Sequence, residues 1–493
     1  MEAPYKTVIG LEVHVQLLTK TKLFCGCSTK FGLDPNSSTC PVCTGMPGVL
    51  PVMNRRAFEL SLKAALALNC EIASFTKWDR KNYYYPDLPK NYQISQYDLP
   101  FSKDGFLEIE TPAGTKTIRI IRAHLEEDAG KSIHDESGHG SDTKVDLNRT
   151  GTPLLEIVSH PDITSGEEAK AYLEELRLLL KELEISDCEM QEGSLRCDAN
   201  VNIHIPQPDG SYVATPIIEV KNLNSFRAVE KAMKYEAQRQ YEQFKKDGKK
   251  FGEIPKATAG WDESRGVTVV QRRKEEASDY RYFPEPDLVP VKVSTSELEN
   301  AKNSLGELPS VSRERLVGQY GLSKYDASVL VSQGKKFLGY FEETASKCND
   351  PKASCNWVTN QVLSTLNEQK REIQDFEIKP ERLAGLIREV QSIGLNMQRA
   401  REVYADMLST GSEAKASIEK LGFKVVADLG QITEIVKRAI ASNPKAVADF
   451  KKGKVKAADA IKGAVMRETK GMAKTETVQE IVMKELTEAK EPE

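Results

Sequence analysis

Gly10-Leu11-Glu12-Val13-His14-Val15-Gln16-Leu17 alternates without a break, with Leu11, Val13, Val15 and Leu17 on one side and Glu12, His14 and Gln16 on the other. Successive side chains of an extended chain point to opposite faces, so a strict period of two predicts a half-buried strand. The alternation returns after Glu192-Gly193-Ser194-Leu195, where Arg196, Asp198, Asn200 and Asn202 interleave with Cys197, Ala199, Val201 and Ile203. It returns again where Ile218 and Val220 alternate with Glu219 and Lys221. A merely solvated strand face carries Thr, Lys, Ser and Glu in loose mixture. These faces carry Glu, His, Asp, Asn and Arg, the types that ligate cations and contact phosphates. The expectation is an antiparallel sheet with one face on a core and the other lining a polar site.

The stretch Arg122-Ala-His-Leu-Glu-Glu-Asp-Ala-Gly-Lys131 sets three acids in succession. Adjacent carboxylates repel one another, so a fold that keeps them together brings a counter-charge, most simply a divalent cation with oxygen ligands; alone, the run also reads as a solvated turn. Strand alternation would aim Glu126 with Arg122 and His124, whereas a turn would free Glu127 instead, and the sequence leaves both open. Gly130-Lys131-Ser132 ends like a Walker motif, but a P-loop needs Gly five positions earlier, where Leu125 stands. A nucleoside triphosphate would therefore need a carboxylate-held Mg²⁺. Glu12, His14, Glu126, Glu127, Glu192 and Glu219 are the candidate ligands. Arg122, Lys131, Arg149, Arg196 and Lys221 are the cations to set against developing phosphoryl charge, with structural ion pairs as the plainer reading of each. The loop Tyr83 to Gln93, rich in Tyr and Pro, could stack a nucleotide base or simply pack on the sheet. Two polar turns, Asp146 to Pro153 and Val220 to Phe226, lie near the expected site. The second contributes Asn222 and Asn224 as nucleotide-binding candidates, and Asn224 or Ser225 is a plausible helix cap.

Four of the nine cysteines are clustered as Cys25-x-Cys27 and Cys40-Pro-Val-Cys43. Two close pairs across a loop can give four thiolates to one structural zinc, and a full shell of four leaves no room for catalysis. The alternative is a set of thiols that has lost its metal. Cys70, Cys188, Cys197, Cys348 and Cys355 read as ordinary packing residues.

At 493 residues the chain exceeds one core, and 69 basic against 73 acidic residues give a net charge of −4, so any nucleic-acid contact must be local. No apolar run reaches the roughly 20 residues that span a bilayer, and no signal-peptide pattern opens the chain, which points to a cytoplasmic protein. Ser165-Gly-Glu-Glu168 is a possible capping box before a helix carrying Ala169, Tyr172, Leu173, Leu176, Leu179, Leu180 and Leu183, and Phe226 to Phe244 is a second helix. The proline-rich Tyr280 to Pro290 is extended and reads as the end of the first domain. Beyond about Ser294 the pattern turns helical, broken at Pro309, Pro351, Pro380 and Pro444. The expected division is 1–293, 294–378 and 379–493. The last part carries Lys437, Arg438, Lys445, Lys451, Lys452, Lys454, Lys456, Lys462, Arg467, Lys470 and Lys474, a footprint for a phosphate backbone or a set of solvated helix faces.

Several long motifs in order, among them Gly-Leu-Glu-Val-His-Val-Gln-Leu at 10, Cys-Pro-Val-Cys at 40, Tyr-Pro-Asp-Leu-Pro-Lys-Asn-Tyr-Gln at 85 and His-Leu-Glu-Glu-Asp-Ala-Gly-Lys at 124, resemble the GatB family, the B component of the tRNA-dependent amidotransferases. Glu-Gly-Ser-Leu-Arg-Cys-Asp-Ala-Asn at 192, Lys-Asn-Leu-Asn-Ser-Phe at 221 and Asp-Tyr-Arg-Tyr-Phe-Pro-Glu-Pro-Asp-Leu at 279 extend the resemblance over nearly the whole chain. It implies an α+β protein: a glutamine-synthetase-like antiparallel-sheet cradle, an all-α domain and a helical tail. It implies ATP-dependent phosphorylation of the side-chain carboxylate of Glu on tRNA(Gln) or Asp on tRNA(Asn), then displacement of phosphate by ammonia. The ammonia would come through a polar channel from a glutaminase (amidase) partner, GatA, clamped by a small third protein, GatC. Mg²⁺ ligands carry over to Glu12, His14 and the Glu126-Glu127 pair, and to Glu192 and Glu219. The tail would grip the tRNA. Against this stand a non-catalytic tRNA-binding scaffold, which has no use for an acidic sheet face, and a free-standing phosphotransferase, which has no use for a basic tail.

Overall fold

The computed structural model describes residues 4–134, 142–273, 280–423, 429–469, 473 and 475–488. The chain divides into two compact units, Met1–Ser310 and Val311–Glu493. The first is built on a large sheet whose main strands are β1 (Lys6–Gln16), β2 (Ser102–Thr111), β3 (Gly114–Glu127), β4 (Pro153–Ser159), β5 (Leu195–Pro206), β6 (Ile218–Lys221), β7 (Ala257–Asp262) and β8 (Val267–Arg273). Their order is β8-β7-β6-β5-β1-β4-β3-β2. Two short strands flank this path, Glu71–Ile72 beside β2 and Tyr212–Ala214 beside β5. Neighbouring strands are antiparallel except β6 and β7, which run parallel; the intervening helix Phe226–Asp247 makes that crossover possible.

The apolar faces of these strands meet three helices. Ile9, Leu11, Val13 and Val15 of β1 are at most 1% exposed and join one cluster with α1 (Arg55–Ala67), α2 (Gly166–Glu182) and α3 (Phe226–Asp247). Burying each such aliphatic side chain is worth about 2 kcal/mol, which holds the strand register. α2 starts where the sequence placed it, with the Ser165 hydroxyl accepting from Glu168 N. The Glu168 carboxylate accepts instead from Thr164 N and Thr164 Oγ1, a variation on the expected capping box. α3 is capped by Ser225, whose Oγ accepts from Ala228 N.

Above the polar face, a small sheet joins Asp79–Asn82 to Tyr92–Ser95 and to Phe283–Pro284. The segment after Tyr280 thus returns to the first unit, fixed by the two-pronged bond of Arg80 to Glu285 (2.6 and 2.9 Å). The helix Thr295–Asn303 also belongs to this unit.

The second unit is helical throughout its described residues. Each expected break opens a helix: Pro309–Tyr320, Pro351–Trp357, Pro380–Ile393 and Pro444–Lys451. Proline suits a first helical turn because the N–H it lacks would have had no partner there. Ile432, Val436, Ile461, Val465, Val478, Val482 and Leu486 form an apolar cluster of their own. On this stretch Lys437, Arg438 and Lys454 are largely exposed while paired with Glu485, Glu468 and Asp449. Lys470 and Lys474 lie outside the described residues.

Candidate functional site

Strand register writes the site. Across four strands, Arg196 (β5), His14 (β1), Glu156 (β4) and His124 (β3) stand opposite one another in one row. In the next row Asp198 faces Glu12, and two residues along β3 from His124, Glu126 faces Leu154. On the far side Asn200 faces Glu219, which faces Thr258. This face floors a cleft of about 730 Å³ whose walls include Lys81 and Tyr83 to Tyr85.

Just beneath the lining, buried Glu156 Oε2 lies 3.5 Å from both His14 Nε2 and His124 Nε2. His14 Nε2 is 3.7 Å from Glu12 Oε1, and His124 Nε2 is 3.7 Å from Glu126 Oε2. Arg122 reaches Glu156 Oε1 at 3.7 Å, and its Nε donates to His124 Nδ1 at 3.3 Å. Two donor sets result, Glu12/His14/Glu156 and His124/Glu126/Glu156, each with its ligand atoms within 4.8 Å of one another. Glu156 belongs to both.

Burial opposes charge here, and the neighbours decide the balance. Burial raises the Glu12 carboxyl, and the charge of Glu156 adds to that effect. Burial also lifts Glu156 and Glu126. The imidazole of His124 nevertheless holds Glu156 well below the usual carboxylate range, and Lys81 brings Glu126 below it. His14, pushed down by burial, ends above its usual value through its pairing with Glu156 and the charges of Glu156, Glu126 and Glu12. Glu12 alone is shifted toward its protonated form; a site that keeps Glu126 and Glu156 ionised around imidazoles is a fitting place for a divalent cation.

The acidic run resolves by alternation. Glu126 points into the cleft, accepting from Ser95 Oγ at 3.0 Å with Lys81 Nζ at 3.9 Å. Glu127 points through to the other side of the strand, paired with Lys90 and accepting from Ile94 N at 2.8 Å. Asp128 returns to the cleft side, held by Arg196 Nη2 at 2.8 Å, Gln16 Nε2 at 2.9 Å and Arg149 at 3.6 Å. Burial raises Asp128, but Arg196 and Arg149 bring it below its usual value. The three acids thus have three separate sets of partners rather than one shared cation, and β3 continues through Glu127, so the turn that would have freed Glu127 does not form.

Other candidates are placed as follows. Arg149 Nε and Nη2 donate to the carbonyls of Ala129 (2.9 Å) and Gly130 (2.5 Å). Gly130 is fixed by crowding, since a Cβ there would stand 2.9 Å from the carbonyls of Asp146 and Asp87. Lys131 is exposed and opens a separate hairpin with Thr143–Asp146. Lys221 pairs with Asp198 and, at 3.5 Å, with Glu219. Glu192 sits on an exposed turn, and Asn222 and Asn224 are exposed in the link to α3; none of the three lines the cleft. Glu156 and Lys81 were missed by sequence reasoning. Glu156 lies within the apolar Leu154-Leu155-Glu156-Ile157-Val158, and the available signal was the high cost of burying a lone acid without a partner.

A second cluster lies apart. The Sγ atoms of Cys25, Cys27, Cys40 and Cys43 lie within 4.8 Å of one another and could hold a structural zinc. Cys40 N donates to Cys43 Sγ at 3.2 Å, and the fully buried Lys22 places its ammonium 3.5 Å from the same sulfur while bonding Ser38 O at 2.7 Å. Cys43 is lowered to about 4, chiefly by its bond from Cys25. Such an anionic sulfur fits a metal ligand.

The fold and site thus define a class: a mixed α+β protein with an antiparallel sheet whose polar face carries a carboxylate–imidazole cluster suited to divalent cations. Residues 7–299 match the model of the GatB/GatE catalytic domain, and residues 339–486 match that of the GatB domain. The chain belongs to the GatB family of the tRNA-dependent amidotransferases. It is 53% identical over 462 residues to the B subunit of the aspartyl/glutamyl-tRNA(Asn/Gln) amidotransferase of Rhodopirellula baltica, covering 93% of each chain. The corresponding proteins of Carboxydothermus hydrogenoformans and Caldanaerobacter subterraneus are 49% and 48% identical, over 98% of this chain and 99% of theirs.

Proposed function

We propose that the first unit activates the side-chain carboxylate of Glu esterified to tRNA(Gln), or Asp esterified to tRNA(Asn), by phosphorylation from ATP, and that the activated acyl group is then amidated. A carboxylate oxygen of the aminoacyl side chain attacks the γ-phosphorus, and the bond from that phosphorus to the β,γ-bridging oxygen breaks to release ADP. Ammonia then attacks the acyl carbon, the carbon–oxygen bond to phosphate breaks, and nitrogen loses a proton as phosphate departs.

The observation that carries this reading is Glu156 shared between two imidazoles just beneath the lining of a cleft walled by cations, with Glu12, His14 and Glu126 reaching the cleft itself. Glu12, His14, Glu126, His124 and Glu156 would hold Mg²⁺, which when bound neutralises phosphate oxygens. Lys81, Arg122 and Lys221 border the same face and stabilise charge that develops on the transferred group. Arg196 acts one step back, since its ion pair with Asp128 holds the Asp128-Ala-Gly turn in place. The exposed ring of Tyr84 in the cleft wall supplies a face on which the nucleotide base can stack. The four cysteines hold zinc as a strut. The basic tail contacts tRNA, ammonia reaches the cleft from the glutaminase GatA held with the small protein GatC, and the complex works in the cytoplasm.

The test is aminoacyl-tRNA-dependent ATP hydrolysis by the complex, with the amide product identified. Glu126→Gln and His14→Ala should abolish it while the partner's glutaminase, assayed uncoupled, survives. Full ATP hydrolysis in both variants would leave only a tRNA-binding scaffold.

A further inference from the structure

Five tyrosine rings form an unbroken series leading out of the cleft. Tyr85 meets Tyr83 edge-on at 6.1 Å, Tyr83 meets Tyr280 at 6.1 Å, and Tyr280 meets Tyr282 at 6.0 Å. Tyr282 then stacks flat on Tyr97, with centroids 4.1 Å apart and planes 6° from parallel. Tyr83, Tyr85 and Tyr280 line the cleft and Tyr97 and Tyr282 lie beyond its lining; the two end rings are open, Tyr85 at 59% and Tyr97 at 57% exposed. Two cations lie on the cleft side of the series: Lys81 Nζ, 5.4 Å from the centre of Tyr280, and Arg281, which lines the cleft beside Tyr280.

The platform is rigid. Tyr97 N donates to Asp79 Oδ2 at 2.9 Å, and Lys77 ties Asp79 to Asp98. Tyr83 Oη donates to Gln93, which in turn holds Glu127 O at 2.7 Å. An apolar protein partner would ask for a continuous aliphatic patch. Flat rings with an open face and with cations at the cleft end suit unpaired bases and their phosphates.

We infer that the Tyr97–Tyr282 stack and the rings behind it form a binding track for the single-stranded 3′ end of an RNA, guiding its terminus from the surface into the cleft. The inference rests on the reading of the cleft as an aminoacyl-tRNA site, and names the part of the substrate that these rings hold. A base stacked on one ring contributes enough for roughly a tenfold change in affinity.

The test uses the full chain without ATP and measures fluorescence anisotropy with two labelled tRNA(Gln) transcripts, one intact and one lacking its three 3′-terminal nucleotides. The unsubstituted protein should prefer the intact RNA about tenfold or more. Tyr97→Ala combined with Tyr282→Ala should bind both RNAs as the unsubstituted protein binds the trimmed one, while Tyr97→Phe should keep the preference. Absence of any preference in the unsubstituted protein would overturn the track, as would a preference that persists in the double variant. Equal weakening toward both RNAs would also overturn it. Because no ATP is present, failure here is separate from failure of the phosphorylation reading, which the ATP-hydrolysis assay decides alone.

Discussion

Glu156→Gln removes one charge and almost no volume from just beneath the cleft, which makes its consequences calculable. Glu156 Oε2 stands 3.5 Å from each of two imidazole nitrogens, and at an effective dielectric constant of about 20 one such pair is worth on the order of 4 kcal/mol when the imidazole is charged. Desolvation of the carboxylate offsets part of this, while deleting one partner of a buried pair leaves the other uncompensated, for a net loss of about 3 kcal/mol. The pH dependence has a definite sign. Glu156 titrates below its ordinary 4.5, so its contribution is present above that value and is lost as pH falls through the folded-state value. His14 titrates above its ordinary 6.5, so its contribution is complete below 6.5 and is lost as pH rises through the folded-state value. The pair is therefore strongest between these two ordinary values, and the penalty of Glu156→Gln should be largest near pH 6.

Urea unfolding followed by tryptophan fluorescence reads this directly. Trp78 and Trp261 are buried in the first unit, so a Trp357→Phe background confines the signal to it. The expected penalty is about 3 kcal/mol at pH 6, shrinking toward the roughly 1 kcal/mol of a neutral hydrogen bond as pH rises. Mg²⁺ at one hundred times its Kd should add about 2.7 kcal/mol to the unsubstituted protein and little to Glu156→Gln. Equal stability at pH 6, or a penalty that grows with pH, would refute the pairing; an undiminished Mg²⁺ response in the variant would refute its role in holding the cation.

Other substitutions separate the neighbouring acids. Glu126→Gln should abolish the Mg²⁺ stabilisation, whereas Glu127→Gln should leave it intact and instead cost about 3 kcal/mol in urea unfolding by stranding Lys90, which is buried beside it. Lys22→Met should speed the loss of zinc to a chelating dye, because the ammonium that offsets the thiolate charge is gone while the four sulfurs remain; an unchanged rate would make Lys22 merely a space-filler. Removing residues 411–493 should weaken tRNA binding and flatten its salt dependence without changing urea unfolding of the first unit.

Much of this was legible because strands obey a period of two. The alternation at Leu11 to Leu17 and at Arg196 to Ile203 places the polar and apolar faces where they lie, and Pro309, Pro351, Pro380 and Pro444 each mark a helix start. What stayed hidden depends on partners distant in sequence. Glu156 sits in an apolar run, and nothing local says that β1 and β3 bring an imidazole to either side of it. Glu127 looked equivalent to Glu126 because adjacency in sequence carries no information about facing until the strand is known to continue. The tyrosine series joins residues 83 to 97 with 280 to 282 through a three-stranded sheet whose pairing no local pattern announces.

Two buried acids on this sheet show how distance separates a structural charge from one poised for a cation. Asp128 is closed: Gln16 Nε2 donates to it at 2.9 Å, Arg196 Nη2 forms an ion pair with it at 2.8 Å, and nothing further is needed to keep it ionised. Glu156 is nearly as buried, yet both its imidazole neighbours stand at 3.5 Å, beyond a good N–H···O bond. Two donors bound at about 2.1 Å to one small cation and roughly at right angles or a little wider sit about 3.0–3.5 Å apart, so the Glu156 spacing is what such an ion requires of its ligands. A fold selecting only for stability would have shortened these contacts or replaced the group with a leucine like its neighbours, since a buried ion pair is often no better than a well-packed apolar one. Keeping the carboxylate and leaving it loosely paired makes sense when the missing contact is supplied by something that binds.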